Sequence, residues 1–256
     1  MPSVYTHFLM ARQSFLALPP RIQAKITPHI HLYYFGAQGA DFCFFYKFLR
    51  RKNGNFGSHL HRKGGLNTFQ SLQTHAAQSS AMFAYAAGYI THYAADTILH
   101  PYVYAASGKS ILIHSRLESA LDYQYGNVYA KTAWEDYKRY FRPKLDKKEK
   151  QGLYALYADI AQKCGFPPLV KPAFFRAISM FNAYLPLSFT LLTHQRTKLL
   201  QAAFGQNYEE KTATLLQFVC LRAKILTREF LQTIETSAPL QKSLFDKSFL
   251  TGKSVK

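Results

Sequence analysis

The sequence predicts an all-α protein, and three observations indicate this fold class. Hydrophobic residues make up 48% of the 256 residues, which excludes disorder over most of the length and allows a large core. Glycine and proline are sparse, at 13 and 11 residues, and helix formers dominate. Alternating runs of the kind that strands require are few. We therefore expect one multi-helix domain over residues 1–256.

Two short helices are predicted at the start of the chain. Residues 3–17 form the first, which carries His7 and ends at a Pro-Pro pair. Residues 20–30 form the second. Both lead into an aromatic stretch that is typical of a buried segment.

Glycines shape the region that follows these helices. Those within residues 36–39 interrupt the helical pattern, so Asp41 is expected on a loop or at the beginning of a helix. Residues 51–65 are polar, basic and rich in glycine. This composition predicts a loop that carries His59 and His61.

The most apolar stretch of the chain predicts a long, central helix. Asn67 or Thr68 can cap it, and it is expected to run to about His100, where Pro101 would stop it. Its middle, AMFAYAAGYI, is apolar on nearly every side. Such a helix is expected to be buried.

A second helix with polar side chains is predicted directly after this one. Residues 101–109 form a turn, and Ser110 can cap a helix that carries His114 and Glu118 and runs to about Tyr129. The rest of the chain, residues 140–256, is expected to be helical without a recognisable motif. Its predicted elements are a helix over 147–163 with a capping box at Asp146 and Glu149, helices over 172–203 and 208–235, and a loose tail beyond Pro239.

Charge and cysteine usage bound the environment and the partners. The formal net charge of +18 favours an anionic partner such as a phosphoester, a nucleic acid or an acidic membrane face. The three cysteines are scattered, so we expect free thiols and a cytoplasmic protein without a signal peptide. Residues 173–192 are apolar, but Arg176 and Pro186 favour a buried helix over a membrane span.

Two His-x-x-x-carboxylate pairs carry the chemical signal of this sequence. His92 is four residues from Asp96, and His114 is four residues from Glu118. Residues four apart share a helix face, so each pair can offer a nitrogen and an oxygen ligand to one metal ion. His100 lies between the pairs. A hydrogen-bonded His–carboxylate contact in the core is the alternative for either pair alone, and we favour metal binding for the whole set.

The order of four motifs resembles the zinc-dependent phospholipase C family. The motifs are GAQGADF at 36–42, SHLH at 58–61, HYAADTILHP at 92–101 and HSRLE at 114–118, and they confine the resemblance to about residues 1–125. The resemblance implies a phospholipase C and P1-nuclease-like helical domain that holds two or three zinc ions.

The resemblance also implies the ligand sets. One ion would take His59, His92 and Asp96, and a second would take His100, His114 and Glu118. A third would use His7 and share Asp96, and Asp41 would be the general base. His61 competes with His59, and we prefer His59 because it follows a serine. In secreted members the third ion also takes the amine of the mature first residue, so the third site stays open here.

The expected activity is hydrolysis of a phospholipid-like phosphoester by metal-activated water, with peripheral contact to a membrane. Two alternatives remain open at this stage. One is a zinc-dependent nuclease, which the positive charge suits, although nucleic acid is the less favoured substrate. The other is a non-catalytic metal-binding or membrane-associated protein.

Overall fold

The computed structural model describes residues 4–47, 55–140, 144–190 and 196–254, without the side chains of 126–140 and 184–190. These residues form helices and no strand beyond one isolated bridge between Lys247 and Ser254, which confirms the all-α class. In chain order the helices are α1 (Val4–Ala17), α2 (Pro20–Ile26), α3 (Ile30–Gly36), α4 (Phe56–Lys63), α5 (Gly65–Gln78), α6 (Ser80–Ser107), α7 (Ile111–Tyr140), α8 (Lys147–Lys163), α9 (Lys171–Thr190), α10 (Arg196–Phe204), α11 (Tyr208–Thr236) and α12 (Lys242–Phe245), with 3₁₀ helices at Thr27–His29 and Asp41–Phe45.

Helix α6 lies at the centre of the fold, as its apolar sequence predicts. Every residue from Met82 to Thr97 is buried. Helices α1, α3, α5, α7 and α11 all pack against it. The burial of so much apolar surface on one element is the main source of its stability.

Two glycines bring α3 and α6 into backbone contact. A Cβ added at Gly88 would lie 1.9 Å from the carbonyl oxygen of Tyr33, and one added at Gly36 would lie 2.1 Å from the carbonyl oxygen of Tyr85. No side chain fits at either position. The aromatic stretch on α3 is thereby held against the helix that carries the histidines.

The single helix predicted from Asn67 or Thr68 to about His100 is wrong in its middle and at its end. The chain instead forms α5 and α6 with a break at Ser79, whose extended backbone begins α6 and whose hydroxyl accepts a hydrogen bond from the Met82 amide at 3.4 Å. Such a serine N-cap satisfies one of the amides that a helix start leaves free. The start of α6 therefore has its own cap, and the sequence reading missed it.

Pro101 does not stop α6, which continues to Ser107. Proline leaves the Thr97 carbonyl without its helical donor, a cost of about 3 kcal/mol in an ordinary helix. Here Val103 and Ser107 are buried beyond the proline. This packing keeps the last turns helical.

The loop predicted over 51–65 is wrong for its second half. Residues from Phe56 to Lys63 form α4, and the side chain of Asn55 caps that helix by accepting from the Ser58 amide at 3.0 Å. Residues 51–54 lie outside the described part of the chain. Position 57 in this helix requires glycine, because a Cβ there would lie 2.6 Å from the Phe44 amide nitrogen.

In the second half of the chain, α7 continues to Tyr140, beyond its predicted end near Tyr129. The capping box of Asp146 and Glu149 and the helix that it begins are confirmed. Helices α9 and α10 occupy the range predicted as one helix, and residues 191–195 between them are outside the described part. The tail beyond Pro239 was predicted to be loose, but it forms α12 and a turn whose Phe249 is 1% exposed.

The cysteines and the longer helices bear on the predicted thiols and on the predicted core helix over residues 173–192. All three cysteines are free, as expected. Among the described residues, no helix has the length and hydropathy that crossing a membrane requires. Within α9, Phe174 and Phe181 are buried, which agrees with a core helix.

The α3–α6 contact generates a stability prediction. Gly88→Ala should lower the free energy of unfolding by about 2 kcal/mol or more, because the added methyl group overlaps a backbone carbonyl that cannot rotate away. Gly152→Ala on α8 is the control, since its Cβ would meet only the flexible end of Met82 at 3.3 Å. Urea unfolding should show this control to be neutral or more stable. Equal losses in both variants would contradict the account of α3 and α6.

Candidate metal centre

Three ligand-type side chains line one face of α6. His92, Asp96 and His100 follow each other at four-residue spacing, and all are buried. The Nε2 atom of His92 lies 3.3 Å from Oδ2 of Asp96, and the Nδ1 atom of His100 lies 3.5 Å from the same oxygen. Asp96 is therefore the centre to which the other elements bring their side chains.

Asp41 reaches the centre from the 3₁₀ helix that follows the glycine-rich stretch. Its Oδ1 lies 3.2 Å from Nε2 of His61, and its Oδ2 lies 3.9 Å from Nδ1 of His92. Gly39, at φ +52°, allows this approach, because a Cβ there would lie 2.0 Å from the His92 ring. Of the two predicted settings for Asp41, a loop or the beginning of a helix, the structure has the second.

The structure brings His61, rather than the preferred His59, into the centre. Nε2 of His61 lies 3.7 Å from Oδ2 of Asp96, and its Nδ1 lies 2.7 Å from the carbonyl oxygen of Gly57. His59 instead donates from Nε2 to the carbonyl of Cys164 at 2.7 Å. The preference for His59 is therefore corrected.

The helical character of α4 explains the difference between these two histidines. Positions two apart on a helix point in nearly opposite directions, so one histidine must leave the face that the other occupies. Phe56, Gly57, Leu60 and His61 form the buried face. This spacing is visible in the sequence once residues 56–63 are read as a helix, and that reading would have selected His61.

The pair on α7 meets His100 and forms a second group. Oε1 of Glu118 lies 2.9 Å from Nε2 of His114 and 3.3 Å from Nε2 of His100. Ser110 caps α7 as predicted, with its hydroxyl 3.2 Å from the Ile113 amide. This group has the more accessible side of the centre, since the side chain of His114 is 12% exposed and that of His92 is 0% exposed.

His7 joins the centre from α1. Its Nε2 lies 3.3 Å from Oδ1 of Asp96, and its ring centroid lies 4.4 Å from that of His92. The preceding residue, Thr6, donates from its amide and its hydroxyl to Oδ1 of Asp122 at 2.7 and 2.8 Å. These bonds join α1 to α7 and hold His7 in its buried position beside Asp96.

The donor atoms form three groups whose members lie within 4.8 Å of one another. The groups are His7–Asp41–His92, His61–His92–Asp96 and His100–His114–Glu118. Two donors of one tetrahedral zinc ion are expected about 3.4 Å apart. The nitrogen–oxygen separations of 3.3 and 3.7 Å to Asp96 in the His61–His92–Asp96 group, and of 3.3 Å between His100 and Glu118, fit this value, whereas His114 and Glu118 lie at a hydrogen-bond distance of 2.9 Å.

Several buried donor atoms of these groups lack a hydrogen bond among the described residues. They include both carboxylate oxygens of Asp41, both ring nitrogens of His92 and Oδ2 of Asp96. Unsatisfied buried polar atoms are costly, and native proteins contain few of them. Metal ligands are expected to lack protein hydrogen-bond partners in this way, so the residues fit the zinc ions that the sequence predicts.

The electrostatics of the centre also suit a cation. Burial lowers the pKa of His92 to about 4, so its imidazole is neutral, as a metal ligand must be. Burial also lowers the pKa of His100, but Asp96 and Glu118 outweigh it and raise that pKa to about 9. Burial raises the pKa of Asp96, yet His100, His92 and His7 hold it well below its usual value. A divalent cation would replace the proton on His100 as the partner of these carboxylates.

The C-terminal segment contributes a contact that the sequence did not indicate. The carbonyl oxygen of Phe249 lies 3.0 Å from Nδ1 of His100. The Phe249 ring lies against His61 and His92, with centroids 5.3 and 5.7 Å apart. A backbone carbonyl carries no motif, so no pattern of residue types could have located this partner.

With this geometry established, comparison with known proteins gives a family. A family model described as zinc dependent phospholipase C matches residues 6–166, which is more than half of the chain. The protein belongs to the zinc-dependent phospholipase C family. The match includes every residue of the three donor groups and extends beyond the motifs at 1–125.

Family membership and the donor groups together support a zinc centre of the phosphodiesterase type in a hydrolase of the phospholipase C class. Neither the search of curated proteins nor the search of solved structures found a match. The residues after 166, which include Phe249, lie outside the matched region.

Proposed function

We propose that this protein is a zinc-dependent phosphodiester hydrolase that cleaves a phospholipid with water. The observation that carries the proposal is the set of three histidine–carboxylate groups, each with a histidine nitrogen within 3.5 Å of Asp96, in a member of the zinc-dependent phospholipase C family. A core hydrogen-bond network is the simpler alternative. It does not account for the unsatisfied atoms of Asp41 and His92.

The geometry suggests which residues hold the metal. One zinc ion is assigned to His61, His92 and Asp96, and a second to His100, His114 and Glu118. A third position, with His7 and the free side of Asp96, would have fewer protein ligands among the described residues. The assignment keeps the predicted sets except for the exchange of His59 for His61.

When bound, zinc supplies a Lewis acid that neutralises charge on a phosphodiester and lowers the pKa of water to about 7. Asp41 is assigned the role of general base. Its carboxylate is buried beside His61 and His92, and its oxygens accept no hydrogen bond that would compete with a water molecule. The tautomer of His61 is set by the hydrogen bond that its Nδ1 donates to the Gly57 carbonyl, which leaves Nε2 facing Asp41 and Asp96.

The surface beside the accessible group favours a lipid substrate over a nucleic acid. Three consecutive aliphatic residues begin α7, and Ile111, Leu112 and Ile113 are 81%, 61% and 38% exposed. They lie within one turn of His114, whose amide donates to the Ser110 carbonyl at 3.0 Å. A cluster of exposed aliphatic side chains is costly in water and is stabilised by insertion into a bilayer interface.

Charge is compatible with the same orientation. Lys109 precedes the three aliphatic residues, and Arg116 follows them; both are exposed. Basic residues around an apolar tip are attracted to the phosphate groups of a membrane. A nucleic acid would gain from the cations but not from the aliphatic side chains.

The assignment of His61 rather than His59 as a zinc ligand generates the first functional prediction. His61→Ala should remove about one bound zinc ion per chain and lower turnover of phosphatidylcholine by about 100-fold or more, because a ligand at the reacting centre is lost. His59→Ala should keep both the zinc content and most of the turnover. Metal analysis of the purified variants and a phosphocholine-release assay provide the measurements. Zinc loss in His59→Ala but not in His61→Ala would contradict the assignment.

The exposed aliphatic residues Ile111, Leu112 and Ile113 generate the second functional prediction. Leu112→Asn should lower turnover on phosphatidylcholine vesicles by about tenfold, because less apolar surface enters the interface. Turnover of a short-chain phosphatidylcholine below its micelle concentration should change less than about twofold, since the chemistry is untouched. Leu221→Asn on α11 is a matched control, because Leu221 is 56% exposed and belongs to none of the donor groups.

Single-stranded DNA is the competing substrate in the same assay. Wild-type turnover on DNA that exceeds turnover on either lipid form would replace the lipid proposal with a nuclease. Zinc bound at the predicted stoichiometry, with no turnover on any of the three, would leave a non-catalytic metal protein.

A further inference from the structure

His100 lies between two donor groups and presents one ring nitrogen to each. Its Nε2 lies 3.3 Å from Oε1 of Glu118, and its Nδ1 lies 3.5 Å from Oδ2 of Asp96. A neutral imidazole has only one lone pair to offer a metal. The position of its proton therefore decides which of the two groups His100 completes.

The carbonyl of Phe249 fixes that proton. Its oxygen lies 3.0 Å from Nδ1, and a carbonyl oxygen can only accept a hydrogen bond. Nδ1 of His100 must therefore carry hydrogen and donate it. The lone pair is left on Nε2, on the side of His114 and Glu118.

Tyr93 holds the C-terminal segment, residues 246–254, and the end of α12 at the place that brings the Phe249 carbonyl to His100. The Lys247 amide donates to the Tyr93 hydroxyl at 3.0 Å, and that hydroxyl donates to the Leu244 carbonyl at 3.1 Å. Tyr93 is on α6, between the histidines. The Phe249 ring is buried against the Tyr93 ring, with centroids 5.1 Å apart.

Beyond Phe249 the segment turns back on itself at a close contact with α6. The Gly252 amide donates to the Ser248 carbonyl at 2.9 Å. A Cβ at Gly252 would lie 2.6 Å from the carbonyl oxygen of Thr97, the carbonyl that Pro101 leaves without a helical donor. The irregularity in α6 thus provides the surface on which the segment rests.

We propose that the C-terminal segment is a positioning element that assigns His100 to the His114–Glu118 group through the Phe249 carbonyl, and that it keeps the two zinc sites separate. This inference rests on the proposed zinc centre. It gives a role to residues outside the region that the family model matches. Without the carbonyl, the His100 lone pair could turn toward Asp96, and the second group would lose one of its ligands.

The tautomer of His100 in the unaltered protein is the first test. In zinc-loaded full-length protein labelled with ¹⁵N-histidine, a long-range ¹H–¹⁵N correlation spectrum should show hydrogen on Nδ1 of His100 and a metal-bound Nε2. His100→Gln identifies the signals to be assigned. Hydrogen on Nε2 overturns the proposal, whatever the outcome of any variant.

Gly252→Ala is the second test, because it displaces the segment without changing a donor residue. The added Cβ meets the Thr97 carbonyl, so zinc affinity at the His100–His114–Glu118 group should fall about 10–100-fold, as for the loss of other partners of metal-bound histidines. Affinity at the His61–His92–Asp96 group should change less than about threefold. Zinc titration against a competing chelator, with the histidine spectrum reporting which group fills, separates the two affinities.

Gly165→Ala is the matched control for backbone strain. Gly165 has φ +67° and Gly252 has φ +64°, but a Cβ at Gly165 would meet nothing within 4 Å. The control should keep both affinities and the Nδ1 hydrogen. An equal loss at both zinc groups in Gly252→Ala, or an equal loss in Gly165→Ala, would show that the segment supports the fold only. These readouts do not depend on hydrolysis, so they stand apart from the test of the enzymatic function.

Discussion

Asp96 is 2% exposed, and nitrogen atoms of four histidines lie within 3.7 Å of its carboxylate. A carboxylate taken out of water costs several kcal/mol unless charge and hydrogen bonds compensate it. Glu118 is also a buried carboxylate, and nitrogen atoms of two histidines, His100 and His114, lie within 3.3 Å of it. The surrounding histidines supply this compensation for both carboxylates, and the same arrangement suits a cation. The burial of α6 is therefore a condition for the chemistry, because a flexible helix could not keep Asp96 within reach of α1, α4 and α7.

The two halves of the chain divide this task. The donor side chains all come from residues 7–118, inside the region that matches the family. The later helices carry none of these donors; α10 and α11 pack against α6, and the segment after α12 contacts His100 through the Phe249 carbonyl. Pro101 links the two halves, since the carbonyl that it exposes on α6 is covered by the turn at Gly252. The donor side chains thus come from local motifs, and a backbone carbonyl distant in sequence, that of Phe249, orients His100 among them.

Features that depend on residues close in sequence could be predicted, and features that depend on contacts between distant residues could not. His92, Asp96 and His100, and likewise His114 and Glu118, were found because four-residue spacing is a local property of a helix. The preference for His59 rested on the serine before it. The helix over Phe56–Lys63, which places His61 on its buried face, was not predicted because glycine and charge content favoured a loop. The continuation of α6 past Pro101 depends on packing that no local rule contains. The Phe249 carbonyl was beyond prediction altogether, because its role comes from a contact across 149 positions and from an atom that every residue possesses.

The most direct test of the central claim is the location of zinc in crystals of the protein by anomalous diffraction at the zinc absorption edge. The account predicts one peak bonded to Nε2 of His92 and Oδ2 of Asp96, and another bonded to Nε2 of His114 and Oε1 of Glu118, each at about 2.0–2.2 Å. Crystals grown with excess zinc that show no peak at either place, with the histidine–carboxylate contacts unchanged, would contradict it. The centre would then be a buried hydrogen-bond network in a family fold.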